Sequence, residues 1–247
     1  MSTNKHIEYK RIVKGADVAV LCVHGIIGTP NHFREFIPLI PENFSVYSMV
    51  TDGHCGTVDD FSRSSLKSWE ESVDRAVGEL LETHKEIYVL AHSMGTLLTI
   101  EQALKNPCIS RLFYLSVPIK VKFRLRMIPM ALKIYFKRVK DDDEVALALR
   151  ECYGVTDHKN VFKYLGWFPR LFDLFKLIKR VRKKLDLLTT PCVTFQSIPD
   201  ELVSPRSIDI LKKESKMRVV ALNHSTHCYY EPKELEYLKE EFIEFLK

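Results

Sequence analysis

The feature that most constrains this chain is a serine flanked by small residues where an apolar run meets a helical one. Residues 85–91 (KEIYVLA) are a short apolar, β-rich stretch, residues 96–105 are apolar at helical period, and Ala91-His92-Ser93-Met94-Gly95 lies between them. A buried strand that turns at once into a helix leaves the turning residue in strained backbone, with its side chain above the sheet. Small residues at 91 and 95 are what so tight a turn permits, whereas a serine that merely caps a helix requires neither. The pattern predicts Ser93 as a nucleophile. A hydroxyl is a poor nucleophile at neutral pH, so a histidine base and a carboxylate to orient it are predicted with it.

The rest of the chain supplies a frame for such a turn. Residues 17–23 (DVAVLCV), 44–50, 111–117 (RLFYLSV), 191–197 (PCVTFQS) and 217–222 (MRVVAL) read as further buried strands. Helices are predicted over 66–82, where Leu66, Trp69, Val73, Val77 and Leu80 share one face, and over 232–247, with Leu235, Leu238, Phe242 and Phe245. The segment DGHCGTVDD at 52–60 reads as a polar turn. Strands alternating with helices predict an α/β fold: a mostly parallel central sheet with helices on both faces. At 247 residues and 46% hydrophobic, the chain suits one such domain.

Residues 118–185 break the alternation and read as an inserted helical cap. They carry 18 Lys or Arg against 7 Asp or Glu, a net +11, while the rest of the chain carries −6. Such a patch suits weak contact with an anionic membrane surface; the alternative is helices that keep their basic residues in water. Lys120 to Arg126 alternate basic and apolar residues, and Met127, Met130, Ile134 and Phe136 extend the apolar surface. Trp167, Phe168, Phe172 and Phe175 form an aromatic group that either lines an acyl pocket, with Phe172 and Phe175 binding substrate, or holds the cap helices together. Asp141-Asp142-Asp143-Glu144 lacks the spacing and glycine of a calcium loop and reads as a solvated helix start.

The partners of Ser93 are sought at the ends of the later strands, where parallel sheets bind ligands, in the order serine, acid, histidine. Asp200 follows the strand ending at Ser197, with Glu201 as its neighbour and competitor; Asp209 falls in a predicted helix. His227 follows the strand ending at Leu222, and His224 competes with it, although a loop hydrogen bond is its expected role. His92 is expected to pack the turn. The glycine-bearing loop His24-Gly25-Ile26-Ile27-Gly28 can bring a backbone N–H to a developing oxyanion, most simply that of Ile26, opposite the N–H of Met94. GxGxxG, GxxxxGK[ST] and HExxH are all lacking, and no cofactor or metal is assigned. Six cysteines spaced 33 to 53 residues apart, no secretory segment and no long apolar run predict free thiols and a cytoplasmic protein; no nucleic-acid partner is expected.

With these motifs in hand, the chain resembles the α/β-hydrolase family, and within it small bacterial carboxylesterases and monoacylglycerol lipases. HGIIGTP, DGHCGT with the helix SLKSWEESV, AHSMG, LDLLTTPCVTFQSIPDELVSP and STHCYYEPKELEYLKEEFIEFL carry the resemblance, which is weakest over the cap. The chain departs from the family pattern in Ala91 for the first elbow glycine, DGHCG for PGHGG, and PDE around Asp200, which keeps Glu201 open as the acid. The resemblance implies Ser93 as nucleophile, Asp200 as acid, His227 as base and an oxyanion hole from Ile26 and Met94. It also implies cofactor-free hydrolysis of a small carboxylic ester or acylglycerol through an acyl-enzyme. An acyltransferase, a thioesterase or an amide or peptide hydrolase could use the same residues, and a binding protein with a basic cap and vestigial triad is the reading from a different class.

Overall fold

The computed structural model describes residues 8–122, 143–156, 158 and 160–247. Its strands are β1 (Tyr9–Arg11), β2 (Val18–Val23), β3 (Ser45–Met49), β4 (Glu86–His92), β5 (Ile109–Leu115), β6 (Cys192–Ser197) and β7 (Met217–Leu222). They form one sheet in the order β1-β3-β2-β4-β5-β6-β7. β2 to β7 pair in parallel and correspond to the six apolar runs; β1 adds an antiparallel edge on β3, with Tyr9 opposite Ser48. Three mostly exposed residues have no periodicity of their own, so β1 exists only because β3 offers an open edge.

Alternation along each strand divides the core into two layers. Leu21, Val23, Val89, Ala91 and Tyr114 face α2 (Leu66–Leu81) and α3 (Met94–Ala103), and Trp69, Val73 and Leu97 close that layer. Val20, Cys22, Leu90 and Phe113 face the other way, against Phe33, Phe36 and the α7 helix (Pro232–Phe245) through Leu238 and Phe242. The polar turn expected at 52–60 is partly helical: α1 (Val58–Arg63) begins inside it. Thr57 and Asp60 cap each other reciprocally, the Thr57 N–H donating to Asp60 at 2.8 Å and the Asp60 N–H to Thr57 at 3.2 Å.

Between β5 and β6 the described chain forms α4 (Glu144–Cys152), a 3-10 turn (Val161–Trp167) and α5 (Phe168–Arg182), with a short α6 (Arg206–Leu211) after β6. Asp143 caps α4 through the Ala146 N–H at 3.1 Å. Helix α5 is divided along its length. Leu177 and Val181 are fully buried in the core with α2 and α3, and Arg180 bridges Glu70 and the buried Glu101, the latter at 2.5 Å. Phe168, Leu171, Phe172 and Phe175 face solvent. Some of the basic excess is therefore paired: Lys163 with Asp59, Arg170 with Asp173 at 2.9 Å and Lys184 with Glu101 at 3.4 Å. The part of the basic alternation after Lys122, together with Met127, Met130, Ile134, Phe136, Asp141 and Asp142, lies outside the described residues.

Candidate active site

Ser93 sits between the last residue of β4 and the first of α3 with φ 50° and ψ −122°, in a region that costs a non-glycine residue about 1–3 kcal/mol. The surroundings hold it there. Its N–H donates to the Leu115 carbonyl at 2.9 Å, and Thr96 Oγ1 donates to its own carbonyl at 2.6 Å. A side chain at Gly95 would collide with the Val23 and His24 carbonyl oxygens, and one at Gly25 would press on Ser93 Cβ at 2.9 Å. Those two glycines let the β2 loop lie directly against the turn.

From Ser93 a chain of hydrogen bonds runs inward. Ser93 Oγ lies 3.1 Å from His227 Nε2, and His227 Nδ1 lies 2.8 Å from Asp200 Oδ2. Asp200 is fully buried, and its other oxygen accepts the N–H groups of Leu202 and Val203, both at 2.7 Å. Burial opposes charge on His227, yet the Asp200 charge and hydrogen bond, aided by Glu201, raise its pKa above the ordinary value. Burial likewise pushes the Asp200 carboxyl up, but His227 and the two backbone donors hold it below the ordinary carboxylate value. The two shifts run in opposite directions because each group favours the charged form of the other.

The adjacent candidates separate by geometry. Glu201 accepts the backbone N–H of His227 at 3.0 Å and so braces the loop from outside the Ser93 chain. His224 is exposed, its backbone N–H donating to Glu234 at 3.2 Å, and Asp209 is exposed on α6. Met94 is the buried first residue of α3, and Ile26 is half-buried in the β2 loop, which closes through the Gly28 N–H to the Gly25 carbonyl at 3.0 Å with Ile27 at φ 50°. Both backbones thus flank the turn that bears Ser93. Phe172 and Phe175 are not brought into this cluster; they are 64% and 51% exposed, while Trp167 leaves them to pack on Phe61 with centroids 5.1 Å apart.

Tertiary structure also gathers histidines that the sequence scatters. His92 donates through Nε2 to the His227 carbonyl at 2.9 Å, so it supports the His227 loop as well as the turn. The His24 and His54 rings meet tilted by 58° with centroids 4.9 Å apart, and burial, as the first cause, lowers their pKa to about 3 and about 4; both remain neutral. His32, His92 and Cys228 have potential ligand atoms within 4.8 Å of one another. The His32 and His92 rings, however, stack at 3.8 Å and 25°, so their in-plane lone pairs run side by side instead of converging on one ion. The only signal for this assembly in sequence is one histidine beside each of the motifs HGIIG, DGHCG and AHSMG.

No described helix is long and apolar enough to cross a membrane. Among known proteins, a thermostable monoacylglycerol lipase from Bacillus sp. (strain H-257) is 26% identical over 214 residues, covering 85% of this chain and 82% of that protein. A solved structure from work on LipS and LipT, two metagenome-derived lipolytic enzymes, superposes with a TM-score of 0.75 at 17% identity, covering 98% of each chain. The monoacylglycerol lipase of Paleococcus ferrophilus superposes at 0.70 with 18% identity over 97% of each. The model of the alpha/beta hydrolase family matches residues 20–237, a span that runs from within β2 through β7 and includes every residue of the Ser93 cluster, and so the chain belongs to that family of hydrolytic enzymes.

Proposed function

We propose that the chain hydrolyses carboxylic esters through a serine acyl-enzyme, with acylglycerols as the substrate class. The observation that carries this reading is the unbroken hydrogen-bond chain Ser93–His227–Asp200 at a strained strand-to-helix turn. Ser93 Oγ attacks the ester carbonyl while His227 Nε2 takes its proton. Asp200 holds the ring so that Nδ1 carries the remaining proton and stabilises the imidazolium that forms. The N–H groups of Ile26 and Met94 receive the developing oxyanion. His227 returns the proton to the departing alcohol, then repeats the cycle with water to release the acid.

The acylglycerol assignment is supported by the Bacillus relative, which is itself a monoacylglycerol lipase. Initial rates on p-nitrophenyl esters of increasing chain length, beside a monoacylglycerol, test it. Turnover of the monoacylglycerol at a kcat/KM at least equal to that of the best p-nitrophenyl ester is expected. Turnover of thioesters or amides alone would overturn the substrate class, and acyl transfer to an added alcohol that outpaces hydrolysis would make the chain a transferase.

The reading extends to the solvent-facing side of α5. Phe168, Phe172 and Phe175 stand exposed beside the exposed Lys176 and Lys179, a combination suited to an anionic lipid surface from which an acyl chain is drawn. Co-sedimentation with anionic vesicles should be measurable at low salt and should weaken as the Debye length falls to about 8 Å at physiological ionic strength. No binding at low salt would leave these residues as ordinary solvated surface.

A further inference from the structure

Six cysteines are distributed along the chain, yet two that lie 76 positions apart meet beside the base. Cys152 ends α4 and Cys228 follows His227; each is partly exposed, and both sulfurs border the His32 ring, Cys152 directly and Cys228 within 4.8 Å. His32 Nδ1 lies 3.3 Å from Cys152 Sγ, and its Nε2 lies 3.1 Å from the Tyr230 hydroxyl. With Tyr230 donating to Nε2, Nδ1 carries the ring proton and points it at the Cys152 sulfur. Arg34, held by Glu151 at 2.6 Å, adds positive charge next to the end of α4.

We propose that Cys152 and Cys228 are a peroxide-responsive dithiol whose closure to a disulfide restrains the His227 loop and slows hydrolysis. The regulatory half of this proposal rests on the ester-hydrolase reading; the covalent half does not.

The chemistry assigns a different role to each sulfur. The Cys228 contact, then the neighbouring His32 and the Arg34 charge, hold the Cys152 thiol well below the ordinary range, while the Cys228 thiol is pushed well above it by the same contact and by burial. With the His32 N–H 3.3 Å from its sulfur and Arg34 beside the end of its helix, Cys152 is the thiolate that attacks, and Cys228 the thiol that resolves. The Cys152 thiolate attacks one oxygen of hydrogen peroxide and breaks the O–O bond. This gives a sulfenic acid and hydroxide, which takes a proton from solvent. The Cys228 sulfur then displaces the sulfenic hydroxyl, forming the S–S bond, and its proton leaves with that hydroxyl as water. Two thiols lose two electrons in all, and one peroxide becomes two waters. Cys22 and Cys192 are deeply buried with their thiols pushed up by burial, and Cys55 is pushed up to about 12 for the same reason, so none of the three matches this environment.

The bond would join two segments that border the Ser93 cluster. Two residues beyond Cys152, the Gly154 N–H donates to the Ile27 carbonyl at 2.8 Å, and a side chain at Gly154 would collide with Gly28 and Thr29. At its other end α4 is tied to the same His227 loop by Tyr229 and Glu144 at 2.6 Å. A disulfide at 152 and 228 would thus lock the base loop to the segment that backs the Ile26 loop.

The test uses the full chain in a Cys108→Ser background, which removes the exposed thiol, reduced and then treated with graded hydrogen peroxide. Intact mass, thiol counting after denaturation and peptide mapping are read together. The expected result is loss of two thiols with a mass about 2 Da lower, one peptide pair linking Cys152 to Cys228, and full reversal by dithiothreitol. Cys228→Ser should instead accumulate a dimedone-trappable sulfenic acid at Cys152, and Cys152→Ser should form no link. Hydrolysis should fall at least about fivefold on oxidation, recover on reduction and stay constant in Cys152→Ser, a ratio that converts to about 1 kcal/mol. No 152–228 link, or Cys152 oxidation no faster than that of Cys108 in the unsubstituted chain, overturns the proposal. A link without a change in hydrolysis overturns its regulatory half. Failure of the reduced chain to hydrolyse any ester would count against the ester-hydrolase reading instead, since mass and mapping remain readable.

Discussion

The strand ends that carry Ser93, Asp200 and His227 and the helix α5 are built on opposite physical terms. At the strand ends the polar groups of Ser93 and Asp200 are spoken for: the Ser93 N–H donates to the Leu115 carbonyl, the Thr96 hydroxyl donates to the Ser93 carbonyl at a residue held at φ 50°, and Asp200 is fully buried with both oxygens occupied. Helix α5 uses one side, Leu177 and Val181, as core and leaves Phe168, Phe172 and Phe175 to solvent. An over-determined site fixes atoms to the tolerance that bond-making needs. A half-committed helix fixes only its position and leaves a surface whose apolar groups remain available for contact.

The contrast is broken most directly at Ser93. Ser93→Ala and His227→Ala should each lower kcat roughly 10⁴- to 10⁶-fold with no further loss in the double variant, because the residues act as a unit. His224→Ala should retain most activity. Fluorophosphonate labelling confined to Ser93 accompanies this, and labelling of a different serine in a folded protein would end the assignment.

Asp200 and Glu201 sharpen it next. Asp200→Asn should cost about 10⁴-fold in kcat, whereas Glu201→Gln, which still offers an oxygen to the His227 N–H, should cost at most about tenfold. The pH profile separates the two further. His227 works as a base only when neutral, and its pKa is raised, so kcat/KM should fall as pH drops through a value above that of an ordinary histidine. In Asp200→Asn that acidic limb should move to lower pH. A limb unmoved by Asp200→Asn but moved by Glu201→Gln would reverse the assignment of the acid.

The smallest effects lie within α5. Leu177→Ala should destabilise by about 2–5 kcal/mol in chemical denaturation, and Phe172→Ala should stay within about 0.5 kcal/mol. The order reverses for substrate selection. Phe172→Ala or Phe175→Ala should lower the long-chain to short-chain ester ratio roughly threefold, the loss of about 25 Å² of apolar contact. A Phe172→Ala variant as destabilised as Leu177→Ala would return that ring to packing.

Much of the frame could be read from the chain because its information is local. A parallel strand covered on both faces must be apolar at nearly every position, and six such runs stood out. β1 could not be read, since three mostly exposed residues acquire strand geometry only from an open neighbour. α1 could have been: the Thr57 and Asp60 spacing is a capping signal inside what otherwise reads as a turn.

By itself the sequence determined the α/β frame, the strand-to-helix turn at Ser93 and the placing of Asp200, Glu201 and His227 after later strands. These depend on side-chain period, residue size and chain direction, all of which act within a few residues. Only the tertiary structure decided which part of His227 each neighbour reaches, the ring for Asp200 and the backbone for Glu201, although their carboxylates are one peptide apart. It alone brought His32, His92, Cys152 and Cys228 together and divided α5 between core and solvent. Those outcomes depend on which strand ends the sheet places side by side, and contacts between residues far apart in sequence leave no periodic trace in the chain that makes them.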